Sequence, residues 1–292
     1  MKNKQTTLTC AGAPEFSREN LAGTEIDAFR QRVLVQYRLE GRHDMQWRHT
    51  TDPYHILVSE IMLQQTQVER VAIKFPEFIR AFPDFAALAS APLPDIIAVW
   101  QGMGYNRRAI ALKKCAEQVV STCHGILPRD PEVLATLPGI GPATAASICA
   151  FAFNLPVVFI ETNIRRVFIH FFFSDRENVP DKDILPLVKM TLYEENPRVW
   201  YWALMDLGTS LKKTVVNPNR RSAHYTRQAP FEGSNRKIRG RLLKMLLKDR
   251  YLVEDEVAGL FHEDPQRIRK IMQDLEAEGF IKFHDGRYIP VE

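Results

Sequence analysis

Apolar residues recur at three- and four-residue spacing from residue 25 to about residue 230, and this periodicity predicts a mostly helical chain. The segments that show it best are 26–39, 54–68, 92–100, 106–122 and 186–196. Pro53, Pro92 and Pro186 stand where helices are expected to begin, because proline suits the first helical turn. The apolar stretch 155–160 is short, and we interpret it as a buried loop between helices.

The pattern changes after residues 214–234, which are rich in Asn, Pro, Arg and Gly and which we interpret as a basic linker or surface loop. Three further helical segments follow, and the third begins after Asp264, a residue type preferred at helix N-caps. Two β-prone stretches then flank Asp285-Gly286, a hairpin signal. Three helices and a hairpin predict a winged helix-turn-helix over residues 235–292. Such modules bind DNA or protein, so its partner stays open.

The chain has 292 residues, enough to bury a core in one large or two modest domains. We expect a loose N-terminal segment at 1–24, a helical domain at 25–213, the linker or loop at 214–234 and the winged helix at 235–292. The sequence shows no apolar run of membrane-spanning length and no signal-peptide core at its start. We therefore expect a soluble cytoplasmic protein, associated with the nucleoid if prokaryotic, that does not contact membranes.

The four cysteines form no C-x-x-C pair, and none follows Cys149. This usage favours free thiols over a disulfide framework or a zinc site. Net charge is only +4, but a basic strip runs from Lys212 to Arg227 and could neutralise phosphates.

Residues 137–145 read L-P-G-I-G-P-A-T-A, which predicts a glycine-hinged hairpin that opens a helix near Pro142. Gly139 and Gly141 allow a close approach of the backbone. The helix start offers unpaired N–H groups and the positive end of the helix dipole. Together they predict a phosphate-binding site that needs no side-chain charge.

Two carboxylates are candidates for chemistry. Glu161, in Glu161-Thr162-Asn163, stands directly before another helix start. Glu60 lies on a predicted helix among apolar neighbours, which should raise its pKa and keep it protonated near neutral pH, as a general acid requires. Gln64 and Gln65 follow it, and amide side chains can read or replace base edges.

Residues 102–108 read G-M-G-Y-N-R-R. A tyrosine on a glycine turn, here Tyr105, can wedge between bases and hold a duplex open. The alternative is an ordinary glycine-rich loop with a half-buried tyrosine.

These pieces, in this order, resemble the helix-hairpin-helix DNA glycosylases, and among them the MutY-type adenine glycosylases. The similarity runs from Phe29 to Gly208 and is most specific in V-S-E-I-M-L-Q-Q-T-Q-V at 58–68; it also includes Trp47-Arg48 and the M-D-L-G run that ends at Gly208. The resemblance implies a mainly α, two-lobed HhH-GPD glycosylase fold, here with a small C-terminal winged helix-turn-helix.

By this resemblance Glu60 protonates the base, Glu161 replaces the catalytic aspartate, and Asn163 supports it. Trp47 and Arg48 would line the base pocket, and Gln65 and Tyr105 would insert into the base stack. The DNA-binding candidates are Gln64, Gln65, Tyr105, Arg107, Gly139, Gly141, Thr144, Lys212, Lys213, Arg220 and Arg221.

The chain departs from the family pattern at several places. The family usually carries four cysteines after M-D-L-G that hold an iron–sulfur cluster, and here none follows. We therefore expect no cluster, no metal and no other cofactor. The family's C-terminal domain that reads 8-oxoguanine is replaced by the predicted winged helix. Ala143 stands where bifunctional relatives carry a Schiff-base lysine, so we expect hydrolysis without strand cleavage.

Two further departures leave the substrate open. Trp202 stands near a polar, adenine-contacting position of the family and would line a pocket that could suit another base. Glu161 is one methylene longer than aspartate. The leading hypothesis is a monofunctional enzyme that excises adenine opposite guanine or 8-oxoguanine from double-stranded DNA as a monomer. The alternatives are a thymine, uracil or damaged-base glycosylase, and a non-catalytic protein that binds DNA through the winged helix.

Overall fold

The computed structural model describes residues 16, 21–226, 231–261 and 263–291. It confirms the mainly helical fold, and no helix in these residues is long and apolar enough to cross a membrane. The helices are α1 (Gly23–Glu40), α2 (Pro53–Leu63), α3 (Val68–Ala81), α4 (Phe85–Ser90), α5 (Leu93–Trp100), α6 (Arg107–Cys123), α7 (Pro131–Leu134), α8 (Pro142–Phe153), α9 (Thr162–Phe172), α10 (Asp181–Thr191), α11 (Pro197–Thr214), α12 (Asn235–Asp249), α13 (Glu254–Phe261) and α14 (Pro265–Ala277). Strands β1 (Ile281–His284) and β2 (Arg287–Pro290) pair antiparallel.

The described residues form two compact units, and the first comprises those of Met1–Thr51 and Ala145–Arg227. Its helices α1, α9, α10 and α11 pack together around an aromatic core. Phe29 is fully buried, and its ring makes edge-on contacts with Phe168, Phe172 and Trp200. This core packs α9, which follows Glu161 and contains Asn163, and α11, which contains Trp202, against α1.

The second unit comprises the described residues of Asp52–Thr144 and Gln228–Glu292. Helices α2 to α6 pack around the buried side chains of Trp100 and Phe78, whose rings meet edge-on. The C-terminal elements belong to the same unit: α14 contacts α12, α13 and β1. The predicted boundaries at 25–213 and 235–292 cut the chain differently, and they stay predictions.

Several local predictions are confirmed. Asp264 caps α14 by accepting a hydrogen bond from the Gln266 amide at 3.0 Å. Asp285 and Gly286 have φ of 48° and 77°, as a tight hairpin turn requires. The stretch 155–160 is a loop as predicted, but only Phe159 in it is buried, so the expectation of a buried loop was wrong for its other residues.

The prediction that a helix begins at Pro186 was wrong. Helix α10 begins at Asp181, follows Pro180 and contains Pro186 in its interior. Asp181 and Asp183 occupy its first turn, where acidic side chains are favoured by the helix dipole. Asp181 and Asp183 therefore mark the start of α10 better than Pro186 does. Inside the helix, Pro186 affects only the local backbone hydrogen bonding.

One buried arginine fastens the end of α2 to the loop before α6. The Arg108 Nη1 group donates to the carbonyl oxygens of Ile61, Met62 and Gln64 at 2.8, 2.9 and 2.6 Å. Its Nη2 group donates to the Gly104 carbonyl at 3.1 Å. Burial lowers the pKa of Arg108 to about 10, despite the opposing effect of Tyr105, so the guanidinium stays charged at neutral pH. Helix α2 ends at Leu63, five residues before the end of the predicted 54–68 segment, where Arg108 binds its last carbonyl oxygens.

Arg108→Lys should destabilise the protein, because an ammonium group cannot reach carbonyls on both segments and leaves buried acceptors unpaired. We expect the free energy of unfolding to fall by about 1–3 kcal/mol in urea titrations. Arg107→Lys is the matched control, since the neighbouring Arg107 side chain is 74% exposed and should cost less than about 0.5 kcal/mol. Equal effects of the two substitutions would contradict this role of Arg108.

Candidate active site

Glu161 is the N-cap of α9, and its own side chain satisfies the first amides of that helix. Its Oε1 atom accepts hydrogen bonds from the backbone N–H groups of Asn163 at 2.7 Å and Ile164 at 2.8 Å. Its Oε2 atom accepts one from Asn163 Nδ2 at 3.2 Å. The extra methylene lets the carboxylate fold back onto the helix start, where the helix dipole favours negative charge.

The electrostatics of Glu161 are balanced between opposing effects. Removal from water raises the pKa of the Glu161 carboxyl above its ordinary value. The amides of Ile164 and Asn163, and then the charges of Arg166 and Arg165, favour the ionised form. The carboxyl is therefore held in place by fixed donors, yet it accepts a proton more readily than an exposed glutamate does.

The buried side chain of Arg166 holds Asn163 in place through hydrogen bonds. Arg166 Nη1 donates to Asn163 Oδ1 at 2.6 Å and to the Gly208 carbonyl at 2.7 Å. Its Nε atom donates to Asn217 Oδ1 at 3.0 Å. A side chain at position 208 would collide with the backbone and Cβ of Asn163, so glycine is required there. This chain of contacts, from Asn217 through Arg166 and Asn163, fixes the orientation of the Glu161 carboxylate.

A second polar cluster lies on α11 in the same unit. Asp206 is buried and accepts from Arg48 Nη1 and Nη2 at 2.8 and 2.9 Å, and from the Arg42 amide at 2.8 Å. Burial favours the neutral acid, but the hydrogen bonds and charges of Arg48 and Arg42 outweigh it and lower the pKa of Asp206. Asp206 therefore stays ionised and holds Arg48 in one orientation by a bidentate pair.

The structure brings two of the three predicted base-pocket residues together. The Arg48 guanidinium carbon lies 5.4 Å from the ring centroid of Trp202, which stacks on Phe151 with centroids 5.8 Å apart. Trp47 is also buried. Among the described residues, the buried Nε atom of Arg48 has no hydrogen-bond acceptor. The Trp202 ring therefore contacts both an aromatic ring and a fixed cation.

Glu60 lies on α2 and is half-buried. Its helix neighbours Leu57 and Ile61 are fully buried. Its role as a proton donor stays a prediction.

The hairpin before α8 has the predicted geometry. Gly139 has φ of 79°, and a Cβ there would lie 2.8 Å from Ala111, so both conformation and space require glycine. Gly141 has open space around it. Gln64 Nε2 lies 3.5 Å from the Gly139 carbonyl and 3.4 Å from Thr144 Oγ1, at the long end of hydrogen bonding. Gln64 therefore faces the hairpin rather than bulk solvent.

The residues predicted to insert into DNA share an unusual backbone conformation. Gln65 has φ of 53° and Tyr105 has φ of 46°, a left-handed region that non-glycine residues rarely adopt. Gln65 is exposed and Tyr105 is half-buried. Nearby Arg107 is exposed and pairs with Glu278 at 3.2 Å. Strained residues at exposed turns are typical of functional sites.

The described residues after α11, 215–226, pack against other parts of the same unit. Asn219 is buried and its Nδ2 atom donates to the Thr162 carbonyl at 2.8 Å, which ties the stretch to the start of α9. Lys212, Lys213 and Arg220 are exposed, as phosphate ligands would be. Arg221, in contrast, donates to the Ser174 carbonyl at 2.5 Å. A four-cysteine cluster does not fit here, because the donors are amides and cations and the chain has no cysteine after Cys149.

Three supporting residues were missed as site residues by the sequence analysis. Arg108 and Asp206 stood inside the motifs G-M-G-Y-N-R-R and M-D-L-G, but nothing in those motifs shows what the side chains bind. Arg166 immediately follows Arg165 in the sequence. Only its helical spacing from Asn163 could have suggested that the Arg166 and Asn163 side chains meet.

Comparison with known proteins identifies the family of the chain. Residues 58–185 match the family model of HhH-GPD superfamily base excision DNA repair proteins. The chain is 30% identical to the adenine DNA glycosylase of Mycobacterium tuberculosis (strain CDC 1551 / Oshkosh) over 286 residues, which cover 87% of this chain and 91% of that protein. It is 34% identical over 146 residues to the thymine/uracil-DNA glycosylase of Pyrobaculum aerophilum, covering 50% of this chain and 64% of that protein.

A solved structure is also similar. A thermostable thymine-DNA glycosylase superposes with a TM-score of 0.56 at 26% identity, covering 63% of this chain and 86% of that one. The residues that match the family model, 58–185, include the hairpin and both candidate carboxylates. The chain therefore belongs to the HhH-GPD superfamily of base excision DNA repair proteins, within its adenine DNA glycosylase branch.

Proposed function

We propose that the protein is a monofunctional DNA glycosylase that hydrolyses the N-glycosidic bond of adenine flipped out of duplex DNA, opposite guanine or 8-oxoguanine. The observation that carries this proposal is the Glu161 carboxylate, fixed by two backbone amides and Asn163. The relatives named adenine DNA glycosylase support the choice of base.

Departure of the base requires a proton, because a neutral base is a better leaving group than its anion. We assign this step to Glu60, which is half-buried beside buried apolar residues of α2. The proton would pass from the Glu60 carboxyl to a ring nitrogen of the base.

As the bond to the base breaks, positive charge develops on the deoxyribose. The ionised Glu161 carboxylate would stabilise that charge, by electrostatics or by transient covalent attachment, as paired carboxylates do in glycoside hydrolysis. A water molecule then adds to the sugar carbon and leaves an abasic site. Ala143 offers no amine for a Schiff base, so the proposed reaction ends there.

The extra methylene of Glu161 is compatible with this role. A one-methylene change can move a carboxylate by roughly 1 Å, and errors of that size can cost about a hundredfold in rate. Here the longer side chain is folded back by its hydrogen bonds to the Asn163 and Ile164 amides, which shortens its reach. This folded conformation of the Glu161 side chain offsets the length that its extra methylene adds.

For DNA binding, the hairpin and the start of α8 would hold a phosphate through backbone N–H groups. Gln65 and Tyr105 would fill the space that the flipped nucleotide leaves. We further propose that Lys212, Lys213 and Arg220 bind phosphates without an iron–sulfur cluster, and that the enzyme acts as a monomer. Arg221 is a weaker candidate, since its guanidinium already donates to the Ser174 carbonyl.

A second candidate substrate is a mispaired thymine or uracil. The observation that favours it is the Trp202 ring beside Arg48, at a place where the adenine enzymes are expected to present a polar side chain. The similarity to a thymine/uracil-DNA glycosylase is consistent with this alternative.

The substrate is tested with labelled duplexes that carry adenine opposite 8-oxoguanine or guanine, and thymine or uracil opposite guanine. We expect breaks only in the adenine duplexes and only after alkali, because the enzyme leaves an intact abasic strand. Glu60→Gln should abolish them, whereas Glu69→Gln, at an exposed glutamate of α3, should not.

Each other result of this assay has a defined meaning. Product only from pyrimidine duplexes would support the second candidate. Binding without product from any duplex would indicate a non-catalytic protein. Breaks before alkali would contradict the monofunctional reaction.

Excision should fall at acidic pH, because Glu161 must be ionised. Since burial raises the pKa of Glu161 above its ordinary 4.5, the loss should begin at a pH higher than an exposed glutamate would give. Asn163→Ala removes a hydrogen bond that favours the ionised form and should move the acidic limb up by about one pH unit. Single-turnover rates from pH 4 to 8 give the position of the acidic limb, the part of the pH–rate profile where the rate falls toward low pH. Thr162→Ala, at an exposed residue, is the control. A limb unchanged by Asn163→Ala, or shifted to lower pH, would be inconsistent with this support.

A further inference from the structure

Tyr105 is held from within its own loop in a conformation that costs free energy. Gly104 and Tyr105 have φ of 69° and 46° in succession. The Gly104 carbonyl accepts from Trp100 Nε1 at 3.2 Å and from Arg108 Nη2 at 3.1 Å. These contacts fix the backbone of the loop, but they leave the end of the tyrosine side chain to other partners.

The C-terminal segment supplies one of those partners. The Tyr105 hydroxyl accepts a hydrogen bond of 2.6 Å from Arg236 Nη1, which lies in the first turn of α12. The same guanidinium carbon lies 5.5 Å from the Tyr105 ring centroid, and that of Arg108 lies 5.6 Å from it. Two cations therefore contact one aromatic side chain, one from each part of the unit.

The start of α12 is itself held in place. Arg267 of α14 donates to Asn235 Oδ1 at 3.0 Å and to the Gly233 carbonyl at 2.6 Å. Glu278, whose side chain is only 12% exposed, pairs with Arg239 of α12 and with Arg107 of α6. These contacts lie on either side of Arg236 in the sequence, so its guanidinium is presented to Tyr105 by an ordered helix.

We propose that Arg236 is a positioning residue for base extrusion: it holds the Tyr105 side chain in the orientation in which it enters the duplex. The inference rests on the proposed function, in which Tyr105 occupies the space left by the flipped nucleotide. It makes α12 to β2 a working part of the glycosylase rather than an independent DNA- or protein-binding module.

The physical reason is ordering. A tyrosine on an exposed turn loses rotamer freedom when it inserts between bases, and this loss opposes insertion. A hydrogen bond to the hydroxyl together with a cation–π contact restricts the side chain before DNA arrives. Arg236→Ala should therefore slow extrusion by roughly fivefold to tenfold, the size expected for such contacts at a partly exposed site.

Two other roles for Arg236 predict different results. If Arg236 bound a phosphate, its removal would lower the salt dependence of DNA binding by about one unit of slope. If Arg236 restrained Tyr105 so that DNA had to displace it, its removal would speed extrusion. Under our proposal extrusion slows and the salt slope is unchanged.

The experiment is a double-mutant cycle on the full chain. Base extrusion is followed by the fluorescence of 2-aminopurine placed at the target position of a duplex, and excision of adenine by single-turnover kinetics. The variants are Arg236→Ala, Tyr105→Phe and the double substitution, with Arg236→Lys as the conservative change. Lys244→Ala is the matched control, because Lys244 is an exposed cation on the same helix. Thermal unfolding verifies that each variant folds.

We expect both single substitutions to slow extrusion and the double variant to be no slower than either alone, because both remove one shared contact. Arg236→Lys should restore part of the rate, since lysine can still donate to the hydroxyl. Additive effects, faster extrusion or a lowered salt slope in Arg236→Ala would overturn the proposal. Fluorescence separates it from the chemistry: Arg236-dependent extrusion without excision would overturn the proposed function but support this inference.

Discussion

The hydrogen bonding of the Glu161 carboxylate to the start of α9 is the interaction on which the candidate site depends. The same two amides that would otherwise be unpaired at a helix start hold the acid in place. The cap and the proposed catalytic group are thus one side chain, so the stability of α9 and the chemistry are coupled. Burial raises the pKa of this carboxyl, so its ionised form is less favoured in the folded protein than in the unfolded chain.

Three buried or half-buried arginine side chains hold other candidate residues in place. Arg166 orients Asn163, Arg48 is locked by Asp206, and Arg108 joins the two turns that present Gln65 and Tyr105. Each guanidinium uses several of its five donors on separate segments, which lysine cannot do. Within each unit, the candidate residues are therefore held by polar contacts between segments that are distant in the sequence.

The sequence was most informative where a function depends on consecutive residues. The hairpin at 137–145 and the N-terminal position of Glu161 follow from local residue types, because turns and caps are local. The turn at Gln64 and Gln65 was not predicted, since the apolar pattern of 54–68 reads as one continuous helix. Asn217 and Arg166 are 51 residues apart and Tyr105 and Arg236 are 131 apart, and no local pattern indicates that they meet. The start of α10 was misplaced for a related reason: Pro186 is a strong local signal that the surrounding helix tolerates.

The central claim is that the charge of Glu161, and not only its shape, drives base excision. Glu161→Gln tests it, since glutamine has the same length and its carbonyl oxygen can still accept from the Asn163 and Ile164 amides. Single-turnover excision of adenine from a duplex, measured beside the thermal midpoint, should fall by at least about a hundredfold. The midpoint should change little: the cost of burying the charge is relieved, but the amide nitrogen of glutamine cannot accept the hydrogen bond from Asn163 Nδ2. Excision within a few-fold of the wild-type rate would contradict the account.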